Sequence, residues 1–185
     1  IKHLTTGDGG AILTNNESDA ALIRKLRWFG LDRKYSGSKW EQDIHRAGYK
    51  FHMNNINATM GLAQMPHIDK IIDRHKDNGR FYDEAIQNPH ITKLRQTQNA
   101  ESAYWIYSIL VDNPKELKDH LIKKQISSDA VHVRNDKYTV FKAYRNNNLL
   151  GCDEFCSKLL NIPVGWWVSK DQREYIAATL NRWRR

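Results

Sequence analysis

The segment Tyr104–Val111 constrains the fold most, because a run so rich in aromatic and β-branched residues is typical of a buried strand. Asn113 and Pro114 follow at once, with the cap residue and first-position proline that open a helix. A second short strand is predicted over Ala130–Val133, and a capping box at Ser169 opens a final helix. Strand, helix, strand and helix in this order predict an α+β layer.

The first sixty residues have a different organisation. Gly7–Gly10 is a turn signal, and the apolar residues Ala11–Thr14 after it predict a short strand. Asn16 is placed to cap a helix that ends before Gly30. Residues 31–47 are polar and aperiodic, which predicts a long loop.

A long helical stretch is predicted to begin at Asn54. Pro66 should kink it or start a new helix, since proline lacks the backbone donor that a helix interior needs. Asn88-Pro89 should end it. We therefore expect a connector that leads into the second half of the chain.

Charge and composition limit the possible partners. The chain has 185 residues, 40% of them hydrophobic, and a net charge of +8, with basic residues scattered among acidic ones. A nucleic-acid surface is the alternative explanation of this charge, but the scatter favours solvated side chains with a few directed at an anionic ligand. No apolar run approaches the ~20 residues of a membrane span, so we expect no membrane association.

Cys152 and Cys156 lie four residues apart in a predicted helix, where a disulfide would close almost no loop. We interpret them as reduced thiols, which indicates a cytoplasmic protein. The eight histidines show no metal-ligand spacing, and no metal is expected.

Lys2 is the candidate catalytic residue. Lysine forms a reversible covalent bond with aldehyde cofactors, and the small residues of Thr5–Gly10 would let a cofactor ring approach the backbone closely. The alternative is a solvated lysine without a catalytic role.

The run Ile1–Asn15, IKHLTTGDGGAILTN, resembles the signature that follows the cofactor lysine in the DegT/DnrJ/EryC1/StrS family of sugar aminotransferases. The family usually has a lysine, then Thr-Thr-Gly-Glu-Gly-Gly and a strand that ends in Thr-Asn. Asp8 here replaces the glutamate. By this resemblance Lys2 is the residue that binds pyridoxal 5'-phosphate (PLP).

Two further blocks resemble the same family. Arg24–Leu31 is similar to the helix end that follows, and Gly48–Gln64 is similar to a block that relatives write Gly-Tyr-Asn-Tyr-Arg-Met-Thr-Asn-Ile. In relatives the asparagine of that block reaches the PLP phosphate of the neighbouring subunit. Lys50 has this position here, and an ammonium also suits a phosphate. His52 replaces the family's arginine.

The resemblance is looser after residue 70. Tyr104–Tyr107 is similar to the strand that opens the small domain, and His132–Asp136 takes the place of the family's His-Tyr-x-Pro-Leu-His. That segment lies near the sugar nucleotide in relatives, so His132 and Arg134 are candidate substrate residues. An ion pair between Arg134 and Asp136 is the alternative.

The loop over residues 32–46 is the other predicted substrate element, because comparable loops in the family line the sugar-nucleotide pocket. Its candidate residues are Tyr35, Lys39 and Trp40. Trp166-Trp167 could be a sugar-stacking pair, although such pairs are more often core.

The resemblance implies an α/β to α+β fold, the C-terminal part of a type I, aspartate aminotransferase-like PLP-transferase. It implies residues 1–65 as the end of the large domain, 66–88 as a connecting helix and 89–185 as a small α+β domain. It also implies a homodimer with shared active sites. The expected reaction moves an amino group, usually from glutamate, to a nucleotide-linked keto sugar. Relatives that dehydrate instead have histidine at the position of Lys2.

The chain begins with Ile1 and reads as the middle of a longer protein. In relatives the aspartate that pairs with the pyridine nitrogen, and the aromatic that stacks on the ring, precede the lysine. We therefore expect that these 185 residues alone do not transaminate. A catalytically inactive relative, or a detached binding or structural module, is the alternative interpretation.

Overall fold

The computed structural model describes residues 2–146 and 148–184, which form two compact units. The first unit comprises residues 1–66 and the second comprises residues 67–185. The first unit contains helices α1 (Glu17–Leu26) and α2 (Asn55–Gln64), and a 3-10 turn follows at Met65–His67. The helical stretch is thus interrupted at Pro66, as predicted.

Side-chain caps begin both helices of the first unit. Asn16 Oδ1 accepts the backbone N–H groups of Ser18 and Asp19, 2.9 and 3.2 Å away. Asn54 Oδ1 accepts the N–H of Asn57 at 2.9 Å. These bonds satisfy donors that the first turn of a helix leaves without a partner, and both predicted helix starts are confirmed.

The first unit has no buried residue among residues 2–66. Ile12 and Leu13 are 72% and 94% exposed, although they are adjacent apolar residues that would point to opposite faces of a strand. A groove of about 820 Å³ lies beside them, lined by apolar side chains that include Ile23, Phe51 and Met53. Exposed apolar surfaces of this kind mark interaction surfaces or ligand-binding grooves.

The predicted strand at Ala11–Thr14 is not formed. A strand is defined by ladder hydrogen bonds to a neighbour. Within residues 2–66 the only bridge pairs Trp28 with Lys50, and Ala11–Thr14 has no ladder partner in the described part of this unit.

The second unit packs four helices on a three-stranded antiparallel sheet of order β1-β2-β3. Its elements are α3 (Ile68–Ala85), β1 (Thr92–Lys93), β2 (Tyr107–Leu110), α4 (Pro114–Lys123), α5 (Leu150–Lys158), β3 (Leu159–Ile162) and α6 (Lys170–Arg182). Two 3-10 segments, Asn135–Lys137 and Thr139–Tyr144, precede α5.

The register places Tyr107 opposite Ile162 and Leu110 opposite Leu159. The strand predicted from Tyr104 begins only at Tyr107, because Tyr104 has a φ of +45°, which is incompatible with a ladder. Strand β3 was not predicted as a strand, since its four residues directly follow a helix.

The predicted strand at Ala130–Val133 is also absent. Only Asp129 forms a backbone bridge, with Asn161. The N–H of Val131, two residues further on, donates to the side-chain oxygen of Asn161 at 2.8 Å instead of to a backbone carbonyl. The side chain therefore replaces the ladder bond that would have continued the strand.

A single apolar core fills the second unit. Tyr82 of α3, Ile109 of β2, Leu117 of α4 and Leu180 of α6 are each 0% exposed. Helix α3, predicted as part of a connector, contributes to this core through its buried face. None of the helices that the structure describes has the length and apolar character needed to cross a membrane.

Candidate active site

Lys2 is exposed on the first unit, in a segment that α2 holds in place. The backbone N–H of Thr5 donates to Gln64 Oε1 at 3.2 Å, and Gln64 Nε2 donates to the carbonyl of Thr5. The two residues are 59 positions apart, so this is a tertiary contact. Lys2 therefore presents a primary amine three residues before a fixed point of the backbone.

The glycine turn after Lys2 is held by the same helix. Asn57 Nδ2 donates to the carbonyl of Asp8 at 2.8 Å. Gly7 and Gly9 have φ values of +80° and +146°, which residues with a side chain rarely adopt. A Cβ at Gly9 would lie 3.0 Å from Met53 Cε. The turn is thus a narrow backbone surface that only glycine forms.

These residues fit an aldehyde cofactor. Lys2 is an exposed residue with a primary amine, and nothing lies within 4 Å of a Cβ built at Gly7 or Gly10, so a planar ring could approach the backbone there. Lys2 is the residue that would hold the cofactor covalently.

Lys50 lies on the bridge with Trp28 and is exposed. Backbone bonds on both sides fix this bridge: Tyr49 N–H donates to Leu26 at 2.7 Å and Phe29 N–H donates to Tyr49 at 3.1 Å. The ammonium of Lys50 therefore extends from a defined backbone position at the end of α1.

His52 packs its ring edge against Trp28, with ring centroids 4.2 Å apart. Its Nδ1 is buried and has no hydrogen-bond partner in the part of the chain that the structure describes. Buried polar atoms usually have a hydrogen-bond partner. The lack of one at this nitrogen therefore favours a further contact at this surface.

Tyr35, Lys39 and Trp40 lie on the predicted loop and are exposed, Trp40 by 98%. The base of the loop is closed by Asp32 and Gln42, which exchange two hydrogen bonds of 3.1 and 3.2 Å. The backbone N–H of Lys34 and the ammonium of Lys25 hold the pKa of Asp32 below its usual value. The loop therefore has a fixed base and an exposed aromatic tip.

In the second unit, His132 is exposed and its ring lies beside that of Trp105, with centroids 6.1 Å apart and planes tilted by 51°. Trp105 precedes β2 and is half-buried. The sequence did not identify Trp105 as a candidate, although it stands in the block Tyr104–Tyr107 that carried the resemblance.

Arg134 forms the ion pair that was the alternative to a substrate contact. Its Nε and Nη2 donate to the two oxygens of Asp136 at 2.9 and 2.5 Å, and Nη1 lies 2.7 Å from Asp153. These carboxylates raise the pKa of Arg134, and Arg134 lowers that of Asp136 to about 2. Three of its donors are engaged here, and a diphosphate contact stays a prediction.

A group of tyrosines surrounds Asp83 under the sheet. Tyr104 and Tyr107 donate their hydroxyls to the two carboxylate oxygens, at 2.5 and 2.6 Å. Burial and the Asp83 carboxylate raise the pKa of Tyr104 to about 12 and raise that of Tyr107 further. Both hydroxyls are bonded, so this is a structural network.

Trp166 and Trp167 are 54% and 63% exposed and are therefore not part of the core. Cys152 and Cys156 are free thiols.

Curated proteins of similar sequence include a GDP-perosamine synthase and an aminosugar transaminase. GDP-perosamine synthase of Escherichia coli is 27% identical over 97% of this chain. UDP-4-amino-4,6-dideoxy-N-acetyl-β-L-altrosamine transaminase of Campylobacter jejuni is 22% identical over 97% of it. The matches cover 48% and 49% of those proteins, so the chain spans about half the length of these relatives.

Solved structures match the same region. The sugar aminotransferase CalS13 of Micromonospora echinospora superposes with a TM-score of 0.93 at 29% identity, over 99% of this chain and 50% of that one. PseC of Helicobacter pylori, an aminotransferase of pseudaminic acid biosynthesis, gives 0.85 at 22% identity, over 97% of this chain and 50% of that one. The predicted fold class is confirmed: the chain has the C-terminal part of the type I PLP-transferase fold.

The sequence profile of the family matches nearly the whole chain, residues 1–181. This match runs through both units and includes the lysine and glycine turn described above. The chain belongs to the DegT/DnrJ/EryC1/StrS aminotransferase family.

Proposed function

We propose that the complete protein transfers an amino group, from L-glutamate, to a nucleotide-linked keto-deoxy sugar. The amino sugar would serve the synthesis of a cell-surface polysaccharide or glycan. The observation that carries this proposal is Lys2 beside its glycine turn, within a chain matched by the family over residues 1–181. The relatives that are named for nucleotide sugars support the substrate class.

Lys2 has two roles in this proposal. Its Nζ would hold PLP covalently through the aldehyde carbon of the cofactor. The same Nζ would act as the general acid and base that moves a proton to and from the reacting carbon. PLP, when bound, supplies the electron sink and the carrier for the amino group.

The remaining candidates bind and orient. Lys50 would hold the phosphate of the cofactor, in the active site of the neighbouring subunit of a homodimer. Tyr35, Lys39 and Trp40 would line the sugar-nucleotide pocket from the loop. His132 and Arg134 would contact the sugar nucleotide from the small domain. The exposed apolar surface of the first unit is consistent with contacts to the rest of the large domain or to a second subunit.

The proposed domain organisation keeps residues 1–65 as the end of the large domain, 66–88 as the connecting helix and 89–185 as the small domain. We also propose a cytoplasmic location, which the free thiols support.

We propose that residues 1–185 alone do not transaminate. No buried residue occurs within 2–66, so the surface around Lys2 is open to water. Exclusion of water strengthens the electrostatic interactions on which such chemistry depends. An inactive relative or a detached module is the second candidate, and the same openness favours it.

Reduction with borohydride tests the assignment. The complete protein is incubated with PLP, reduced and digested, and the peptide that carries the cofactor is identified by mass spectrometry. We expect the tag on Lys2, and no tag after Lys2→Ala. Lys70→Ala, at another exposed lysine, is the matched control and should keep the tag on Lys2.

A tag on another lysine would contradict the role of Lys2. A tag on Lys2 in a protein that does not convert PLP in the presence of glutamate would favour the inactive relative. A DNA complex that weakens with salt would favour the nucleic-acid alternative.

A further inference from the structure

The segment that carries His132 runs along β3 without being a strand. Asn161, in β3, is 5% exposed and holds it at two points. Its backbone N–H donates to the carbonyl of Asp129 at 2.8 Å, and its Oδ1 accepts the N–H of Val131 at 2.8 Å. The residue directly before His132 is therefore fixed by a buried side chain.

The nitrogen of the Asn161 side-chain amide is fixed as well. Its Nδ2 donates to Ser108 Oγ in β2 at 2.7 Å. Ser108 is also the residue opposite Asn161 in the sheet register. The amide plane is thus held from both ends, and the orientation of Oδ1 toward Val131 is determined by the sheet.

The backbone after His132 is fixed by Arg134. Its side chain is 9% exposed and joins Asp136 to Asp153 on α5. Its Nη2 also donates to the carbonyl of Asn146 at 2.5 Å. His132 lies between these two anchors, so its exposed ring stands on a backbone with little freedom.

Trp105 supports the ring itself, from the tilted position 6.1 Å away. An exposed imidazole on a fixed backbone, with an indole on one side, has few rotamers open to it. Preorganisation of this kind lowers the entropy lost when the ring forms a hydrogen bond to a ligand.

We infer that Asn161 is a positioning residue, which directs His132 toward the sugar nucleotide through the N–H of Val131. The inference rests on the proposed function of His132. It predicts that Asn161 affects the sugar-nucleotide step and leaves the amino-donor step unchanged.

The test uses the complete protein with PLP and follows the two half-reactions separately. The first is conversion of the cofactor by glutamate, observed by its absorbance. The second is consumption of a keto-sugar nucleotide. Asn161→Leu removes both side-chain hydrogen bonds at similar volume. We expect KM for the sugar nucleotide to rise about tenfold, the worth of one hydrogen bond, with the glutamate half-reaction unchanged.

Two variants serve as controls. Ser108→Ala removes the other partner of the amide and keeps the Val131 contact. Asn161→Asp keeps an acceptor for the Val131 N–H, and the Ser108 hydroxyl can donate to it. Asn161→Asp should keep KM within about twofold of the parent, whereas Ser108→Ala, which frees one end of the amide, should raise KM by less than Asn161→Leu does. Should Asn161→Leu not fold, Asn161→Ser replaces it, since a serine hydroxyl is too short to reach Val131.

A double-mutant cycle separates positioning from stability. In a His132→Ala background, Asn161→Leu should raise KM no further, because the group that it positions is gone. Additive effects, or equal losses in both half-reactions, would overturn the inference. Absence of the glutamate half-reaction in the unmodified protein would instead overturn the proposed function.

Discussion

The side-chain amide of Asn78 lies 3.1 Å from the carbonyl oxygen of Gly165, to which it donates from the centre of α3. The same Nδ2 is 3.2 Å from the carbonyl of Val164 and 3.3 Å from that of Val168. Its Oδ1 accepts from Arg173 of α6 at 3.1 Å. One fully buried amide thus fixes the turn that presents Trp166 and Trp167.

We expect Asn78→Leu to destabilise the second unit by about 2–4 kcal/mol. The substitution keeps the volume but removes the donor to the carbonyl of Val164 and one of the two acceptors of Arg173, whose other acceptor is Asp77. Each buried polar group left unsatisfied costs about 1–3 kcal/mol. Urea unfolding followed by circular dichroism measures the loss. Asn148→Leu, at an exposed asparagine, is the control and should change the free energy of unfolding little. Equal effects of the two substitutions would contradict the role of Asn78.

Gly79→Ala should lower the free energy of unfolding, and Gly151→Ala should raise it. A Cβ at Gly79 would lie 2.3 Å from the ring of Tyr104, and overpacking costs about 1–3 kcal/mol. A Cβ at Gly151, in α5, would meet nothing within 4 Å, so the gain in helix propensity of about 0.5–1 kcal/mol remains. Thermal unfolding of the two variants tests this. A stabilising Gly79→Ala would show that the ring of Tyr104 is free to move.

Stability should fall in alkali because of the buried tyrosines. The pKa of Tyr104 is about 12 in the folded chain, above its ordinary value of 10. The protonated Tyr104 hydroxyl therefore makes its full contribution to the free energy of unfolding below pH 10, and this contribution is lost as the pH rises from 10 through 12. Within that pH window, each such tyrosine lowers the free energy of unfolding by about 1.4 kcal/mol per pH unit.

Tyr104→Phe should reduce this decline, because one ionising group is removed. Tyr82 and Tyr107, whose pKa values burial also raises, keep part of it. Urea unfolding at several pH values gives the slope. Tyr175→Phe, at a half-exposed tyrosine, should leave the slope as it is. An unchanged slope in Tyr104→Phe would contradict the raised pKa.

Arg134→Lys should loosen the segment of residues 135–146. An ammonium cannot reproduce the fork that joins Asp136 to Asp153, so the bidentate pair is lost. We expect amide hydrogen exchange in this segment to become roughly tenfold faster, with the core unchanged. Arg95→Lys, at an exposed arginine of the same unit, is the control. Unchanged exchange would show that the 3-10 segments hold themselves in place.

The Arg134–Asp136 pair should also respond to acid. The pKa of Asp136 is lowered from 3.8 to about 2 by Arg134. The stabilisation that it gives is present above pH 3.8 and is lost as the pH falls through 2. The protection of the amides in residues 135–146, measured against their intrinsic exchange rates at each pH, should therefore fall in acid, and Asp136→Asn should remove this dependence.

Local chemistry was predictable from the sequence. The caps at Asn16 and Asn113 and the capping box of Ser169 with Gln172 form where predicted, and the helix predicted from Asn54 begins there. A cap depends on residues within one turn, so its signal is complete in a short window of sequence.

The strands were predicted less well, because a ladder depends on distant partners. Leu159–Ile162 pairs with β2 some fifty residues away, and Ala11–Thr14 has no ladder partner among residues 2–66. The role of Asn161 also depends on long-range contacts. A polar residue inside the apolar run of β3 was the available signal, since buried polar groups must find partners.

The residues of the candidate site also differ in how far the sequence could identify them. Lys2, Lys50 and the loop residues came from the family resemblance, and their roles stay predictions. Trp105 was missed because its contact with His132 joins residues 27 positions apart, which no local pattern reveals.

Helix α6 closes the core of the second unit from the far end of the sequence. Asn88 donates to the carbonyls of Leu180 and Trp183, and Asn181 bonds the end of α3 through Ala85 and Gln87. During synthesis on the ribosome, α3 would emerge some ninety residues before these partners. The part of the apolar face of α3 that α6 covers therefore stays exposed in the nascent chain until α6 is synthesised. Exposed apolar surface of this kind favours aggregation and chaperone binding.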